Sequence, residues 1–249
     1  MRVKMPTEYH IGTSGWHYDH WRERFYPTDL SRTGWLDFYA RSFSTVEINN
    51  SFYRLPTEKA FQSWHDSTPE GFAFAVKVSR FITHIKKLRD AEEPLQTFLQ
   101  RAKLLGDKLG PLLYQLPPNL RRNDSLLEAF LPLLPAGLRH VFEFRNESWL
   151  VPGVFDIMRR YNAGFCIYDM GEFTTPVEVT AGFAYIRFHG STSPYGGCYS
   201  EEELGGWARK VAALAGGLDA VYIYFNNDAE GFAIANARTL EQKLNELSG

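Results

Sequence analysis

Cysteine is nearly absent: Cys166 and Cys198 are the only two in 249 residues. Two thiols make no disulfide framework, and neither sits in a metal-type spacing, so a reducing compartment fits. No run of about 18 apolar residues occurs, so no segment reads as membrane-spanning. The N-terminal stretch MRVKMPTEYHIG has no apolar h-region, so no secretory signal is read there. These absences together predict a cytoplasmic protein with no membrane partner. An excess of one charge is also missing: 27 Lys and Arg stand against 29 Asp and Glu, a net charge of −2. Such a chain has no overall basic field to hold a long nucleic acid. No low-complexity linker and no solenoid-length repeat is visible. No G-x-G-x-x-G opens a first strand–helix turn, and Gly12-Thr13-Ser14-Gly15 does not match it. No cofactor is predicted.

What is present is an ordinary apolar content, 44%, with aromatics at 15%. Strand-like runs recur at Tyr9–Thr13, Thr45–Asn49, Phe72–Val78, Leu112–Leu116, His140–Arg145, Gly164–Asp169, Phe183–His189 and Ala220–Asn226. Helical periodicity fills most gaps: Gly34–Phe43, Glu58–His65, Pro94–Leu105, Ser125–Leu134, Val154–Tyr161, Glu201–Leu214 and Phe232–Leu247. Ser200 with Glu203 forms a capping box, Asp228 is placed to cap the last helix, and Pro94 and Pro152 suit helix starts. Residues 170–182 read as loop with a short extra strand. Eight strands with interleaved helices in about 250 residues fit a closed TIM (β/α)8 barrel, an α/β fold, with residues 1–249 as a single domain. An open doubly wound sheet is the rival topology.

Side chains alternate along a strand, so each run has two faces. Val46 and Ile48 share one face, with Glu47, Asn49 and Ser51 on the other. Phe142 and Phe144 oppose Glu143 and Arg145. Phe74 and Val76 oppose Ala75 and Lys77. Ile186 and Phe188 oppose Arg187 and His189. One face is apolar throughout and suits packing under helices. The other turns polar toward the carboxyl end, where barrel active sites form. Gln115, Asp169 and Asn226 also fall at strand ends. Lys77, Arg145 and Arg187 are thereby expected at the mouth with Glu47, Glu143 and Asp169, three charges of each sign, plus His189. A structural ion network is the bland alternative, though charges from at least five strands exceed what a structural pair needs.

Several loops add to this mouth. Phe188–Gly197 is rich in glycine and hydroxyls, includes Gly190 and Tyr195, and precedes a capped helix, so an anion site at backbone N–H groups is one reading. A flexible loop is the other. Trp16, Tyr18 and Trp21 form an aromatic cluster, read as a hydrophobic lid or a pocket wall. His189 is the leading acid–base candidate by its near-neutral pKa, with His84 second. A divalent metal on Glu47, Glu143, Asp169 and His189 is chemically allowed, but Lys77, Arg145 and Arg187 would repel it.

The strings GTSGWHYDHWRERFYP, FSTVEINNSFYRLP, FAFAVKVSRFITH, LLYQLPP, VFEFRNESW, YIRFHG and YFNND resemble the signature blocks of the YecE-like family. They run in order over nearly the whole chain. The resemblance implies a TIM barrel and brings no reaction and no verified catalytic residue. Its motif positions here include Glu47, Asn49, Phe52, Tyr53, Lys77, Thr83, His84, Gln115, Pro117, Glu143, Arg145, Trp149, Arg187, His189, Gly190, Asn226 and Asn227.

The expectation drawn from these readings is an enzyme acting on a small anionic substrate, by hydrolysis or isomerisation. Arg145, Arg187 and Lys77 hold the anion, Glu47 or Glu143 acts as base and His189 as acid. Asn49, Tyr53, His84, Gln115, Trp149, Asp169, Gly190, Tyr195 and Asn226 line the substrate. Two other classes compete. One is a carbohydrate-active hydrolase using Glu47 and Glu143. The other is a non-catalytic nucleotide or nucleic-acid binder, which the near-neutral charge argues against.

Overall fold

The two-faced strands close into a ring. The computed structural model describes residues 7–192 and 195–248, so the first six residues and Ser193-Pro194 of the glycine-rich loop lie outside the described residues. Eight parallel strands form the barrel: β1 (Glu8–Ser14), β2 (Thr45–Ile48), β3 (Ala73–Lys77), β4 (Leu109–Leu116), β5 (His140–Phe144), β6 (Gly164–Met170), β8 (Phe183–Phe188) and β9 (Ala220–Phe225). Their order is β5-β4-β3-β2-β1-β9-β8-β6, and β5 pairs with β6 to complete the circle. The short β7 (Phe173–Thr174) pairs antiparallel with the end of β6. It is the extra strand read between 170 and 182.

Helices α1 (Trp35–Ala40), α2 (Asn50–Tyr53), α3 (Glu58–Asp66), α4 (Glu92–Ala102), α5 (Asp124–Phe130), α6 (Pro152–Arg160), α7 (Glu201–Ala215) and α8 (Phe232–Ser248) connect the strands. Under them lies one core that includes Val46, Ile48, Phe74, Val76, Phe142, Phe144, Ile186, Phe188, Ile223 and Phe225. Each such side chain contributes about 1.5–3 kcal/mol by leaving water. A second, inner cluster fills the barrel: Ala75, Leu113, Val141, Cys166, Tyr185, Tyr222 and Tyr224 among others. Small residues on β3 face tyrosines on β8 and β9, which keeps the inner layers filled.

Local chemistry explains the boundaries. Ser200 and Glu203 cap α7 reciprocally, and Pro152 opens α6. α4 starts at Glu92, so Pro94 sits inside its first turn, where a missing N–H costs nothing. β4 begins at Leu109, three residues before the apolar run. Pro111 has no N–H for the ladder, and the β3–β4 register shifts between Phe74 and Val76. Asp228 does not cap α8. A single 3₁₀ turn, Ala229–Gly231, intervenes, and the Asp228 side chain makes no cap bond to it. The backbone carbonyl of Asp228 instead accepts from the Trp21 indole at 2.9 Å. Trp16 and Trp21 are buried, the lid rather than an open wall.

Candidate functional site

Parity of the strands delivers one buried ion cluster to the carboxyl end of the barrel. Arg187 of β8 reaches across the lumen with both terminal nitrogens. Nη2 donates to Glu47 of β2 at 2.7 Å, and Nη1 donates to Glu143 of β5 at 2.6 Å. All three side chains are essentially without solvent contact. Hydroxyls complete the Glu47 carboxylate: Ser14 donates at 2.7 Å and Tyr185 at 2.6 Å. Glu143 further accepts from Gln115 at 2.8 Å and from the Nε of Arg145.

Electrostatics follow from these contacts. Burial pushes the Glu143 carboxyl up, but Arg145, Arg187 and His189 outweigh it and hold it well below the usual carboxylate range. Burial works against the Arg187 cation, yet Glu47 and Glu143 keep it charged at any accessible pH. A guanidinium clamped by two hydrogen-bonded carboxylates is the geometry in which buried charges tolerate desolvation. It also turns both terminal nitrogens of Arg187 onto carboxylates out of contact with solvent, away from the expected anion contact.

Above this cluster sits a second layer, of which Arg145 is partly exposed. Arg145 Nη2 donates to His189 Nε2 at 2.8 Å, and its guanidinium stacks over Tyr168 at 4.7 Å. His189 is fully buried, and Asn226 lies 3.1 Å from its Nδ1. With Nε2 accepting from an arginine, the ring proton belongs on Nδ1, so Asn226 must present its amide oxygen there. Burial, then Arg187, pulls the His189 pKa down to about 4. His189 is therefore neutral at pH 7 and has no proton to give from Nε2, which conflicts with its expected part as general acid.

Lys77 ends β3 on the inward face. Its Nζ lies 4.3 Å from the Phe52 ring centroid. It makes no ion pair within 4.0 Å among the described residues. Burial, with Arg187 next, lowers its pKa to about 8. His84 packs edge-on against the same Phe52 ring at 4.9 Å. Burial, then Lys77 and Arg80, brings its pKa to about 4. Asn49 follows β2, and its Oδ1 is buried with no hydrogen-bond partner among the described residues.

Other expected residues lie elsewhere. Asp169 faces out of the barrel, because Cys166 and Tyr168 take the inward positions of β6. Its carboxylate accepts from Thr174 at 2.6 Å and Tyr199 at 2.8 Å, tying down β7 and the loop before α7. Trp149 is fully buried in the outer core, stacked on Phe144 at 4.9 Å, with its indole donating to Leu120. Gly190 has φ 122°, a value that suits glycine, and its N–H already donates to Tyr199. Ser191 donates to the Cys198 carbonyl, and the first turn of α7 carries Glu201, Glu202 and Glu203. Carboxylates at that helix start work against an anion there. Tyr195 stands exposed with its ring edge-on to His189 at 5.6 Å. Tyr53 is exposed beside Phe52. The set Glu47, Glu143, Asp169 and His189 does not converge as metal ligands, and no such cluster of three or more occurs among the described residues. Ser14, Tyr168 and Tyr185 were missing from the expected set. Strand parity could have supplied Tyr168 and Tyr185, which share the faces of Cys166 and Arg187.

Removing Asp169 from the mouth changes its charge. Lys77, Arg145 and Arg187 now stand against Glu47 and Glu143, an excess of one positive charge. The fold and the site together define a (β/α)8 barrel with a cationic mouth above a buried Glu–Arg–Glu clamp. Residues 10–248 match the family described as "Protein of unknown function DUF72", and the chain belongs to that family. UPF0759 protein YunF of Bacillus subtilis (strain 168) is 26% identical over 274 aligned residues, covering 96% of each chain. UPF0759 protein YecE of Escherichia coli (strain K12) is 31% identical over 119 residues, 47% of this chain and 44% of that one. A crystal structure of a DUF72 family protein from Thermotoga maritima MSB8 superposes with a TM-score of 0.87 at 27% identity, covering 96% of this chain and 99% of that one. The YecE-like resemblance and the closed barrel are thus both supported independently of the strand pattern.

Proposed function

We propose that this protein is an enzyme acting by acid–base chemistry on a small anionic substrate, phosphorylated or carboxylated, at the carboxyl-end mouth of its barrel. The observation that carries this reading is the Lys77 ammonium, which lies over the Phe52 ring and has no ion pair within 4.0 Å among the described residues. A half-buried cation without a counter-ion is costly to keep, and an anionic ligand supplies the missing partner. Asn49, with its unpartnered carbonyl oxygen, offers an acceptor for a substrate hydroxyl or amide. Glu47, Arg187 and Glu143 serve as the fixed floor of the site rather than as its reacting groups. Lys77 and His84 are the titratable groups on the open side.

The carbohydrate-hydrolase alternative needs two carboxylates facing a shared substrate. Here one guanidinium bridges both, which works against it. The excess of a single charge is small for a nucleic-acid track. Both cysteines are free, which agrees with a reducing cytoplasmic setting, and no helix among the described residues is long and apolar enough to cross a membrane.

Calorimetric titration with inorganic phosphate, pyrophosphate and small dicarboxylates tests the reading. At least one should bind, and Lys77→Gln with Arg145→Gln should weaken it at least about tenfold, the scale of one lost charge-assisted contact. Equal binding of neutral sugars, or no change in the double variant, would sink it.

A further inference from the structure

We propose that Lys77 is a nucleophilic amine that forms a Schiff base with a small carbonyl compound bearing a carboxylate or phosphate. This rests on the anion-site reading and goes further, because it names the reacting atom and the substrate class.

A buried and a half-buried lysine in this chain show the difference between a structural amine and a reactive one. Lys108 is buried and donates to the carbonyls of His65 and Thr68, each at 2.6 Å. Its ammonium is satisfied by oxygen acceptors. Lys77 has no oxygen acceptor for its Nζ among the described residues, only the face of Phe52. Its charged neighbours in the mouth are Arg187 and Arg145, which favour the neutral amine, and Glu143 and Glu47, which favour the ammonium; burial and Arg187 prevail. A lysine becomes a nucleophile when desolvated or set beside another cation, and both conditions hold here. Its pKa of about 8 keeps a usable fraction of free amine near neutral pH. The position is also right, since Lys77 closes β3 on the inward face at the end where barrels bind substrate.

The chemistry balances without any co-reactant. The nitrogen lone pair adds to the carbonyl carbon, and the carbonyl π pair moves to oxygen, which takes a proton as nitrogen loses one. The proton that left the Lys77 ammonium to free its lone pair is then returned to that oxygen, which departs as water while the nitrogen lone pair closes the C=N bond. One water leaves, and nothing is oxidised or reduced. His84, neutral and packed on the same Phe52 ring, is the imidazole placed to carry these protons. The iminium carries the positive charge that the Lys77 ammonium carried before, so the mouth keeps its excess of one, which the substrate's own anion balances. That requirement is what couples carbonyl and anion in one ligand. The iminium then draws electrons from the neighbouring carbon, which suits proton abstraction or carbon–carbon bond chemistry.

Reductive trapping decides the matter. The purified protein is incubated with cyanoborohydride and, separately, pyruvate, dihydroxyacetone phosphate or uncharged dihydroxyacetone, then read by intact mass and peptide mapping. The expected result is a single reduced adduct on Lys77, formed at least about tenfold faster with one of the anionic compounds than with dihydroxyacetone, as one charged contact implies. Pyruvate and dihydroxyacetone phosphate distinguish the carboxylate from the phosphate source. Lys77→Arg, which keeps the cation, should retain phosphate binding and lose the adduct. Should that variant fail to fold, the mapped position in the wild type still decides. Modification spread evenly over exposed lysines such as Lys59 and Lys103, or no adduct at all, overturns the Schiff base. Phosphate binding without an adduct overturns the Schiff base alone, whereas loss of both overturns the anion site as well.

Discussion

Replacing Arg187 with methionine isolates the energetics of the buried clamp. Methionine fits the space left by the aliphatic stem but carries no charge. Glu143 keeps Arg145 and Gln115 after the change, whereas Glu47 keeps only the Ser14 and Tyr185 hydroxyls. Breaking a buried pair by removing one partner costs about 3–5 kcal/mol, and the stranded Glu47 puts this case at the upper end. For a chain of this length each kcal/mol moves Tm by about 2–4 °C, so the midpoint should fall by about 10–20 °C. The pH dependence carries the mechanism. Without Arg187 the buried Glu47 carboxyl is raised above its unfolded value, so the folded variant takes up a proton that the unfolded chain does not. The deficit is then largest above that raised pKa and shrinks as pH falls toward the unfolded value of about 4.3. Urea unfolding at a series of pH values reads this directly. Adding Glu47→Gln to Arg187→Met should restore much of the loss at pH 7.5, since it removes the stranded charge. A deficit under about 1 kcal/mol for the single variant, within the range of an exposed pair, would refute the clamp. So would a double variant no more stable than the single one.

Other expectations concern the open layer and the rim. Lys77→Met should stabilise the fold by about 1–3 kcal/mol at pH 7 while abolishing ligand binding, because a base lowered to about 8 is a net cost below that pH; a thermal melt reads it, and destabilisation counts against the desolvated amine. His189 should stay neutral by imidazole NMR down to pH about 4. Its lowered pKa means that stability falls as pH drops from 6.5 toward about 4, by at most about 3 kcal/mol, and His189→Asn should flatten that part of the profile. Asp169→Asn should leave anion affinity unchanged and cost about 1 kcal/mol by weakening the Thr174 and Tyr199 bonds. A large affinity loss in that variant would return Asp169 to the site.

Much of this fold is visible in the chain because an eight-stranded barrel repeats a simple signal. Apolar alternation fixed which residues face helices and which face the lumen, so Glu47, Lys77, Glu143 and Arg187 were placed together from parity alone. The same rule, applied less strictly, misplaced Asp169. It lies one residue before the end of β6, but Phe165 and Ile167 pack outward, so Asp169 shares their face and Tyr168 does not. Trp149 was drawn in by a motif whose residue serves the outer core. What alternation cannot reveal is pairing. That Arg187 spends both nitrogens on glutamates, and Arg145 one on His189, depends on distances across the lumen that no local pattern encodes. These pairings are what divide the charged set into a closed floor and an open layer, and so shift the reactive part from His189 to Lys77.

The clamp also bears on how the chain folds. In the ring, β2, β5 and β8 stand at nearly equal thirds of the circumference, so Arg187 acts as a three-way strut fixing the barrel's bore. Its partners are remote in the chain, Glu47 by 140 positions and Glu143 by 44. Contacts of such separation form slowly. An amino-terminal stretch ending before β8 holds a Glu47 without its guanidinium and a Glu143 with only Arg145, so its interior is incomplete, and ring closure should come as one late, cooperative event.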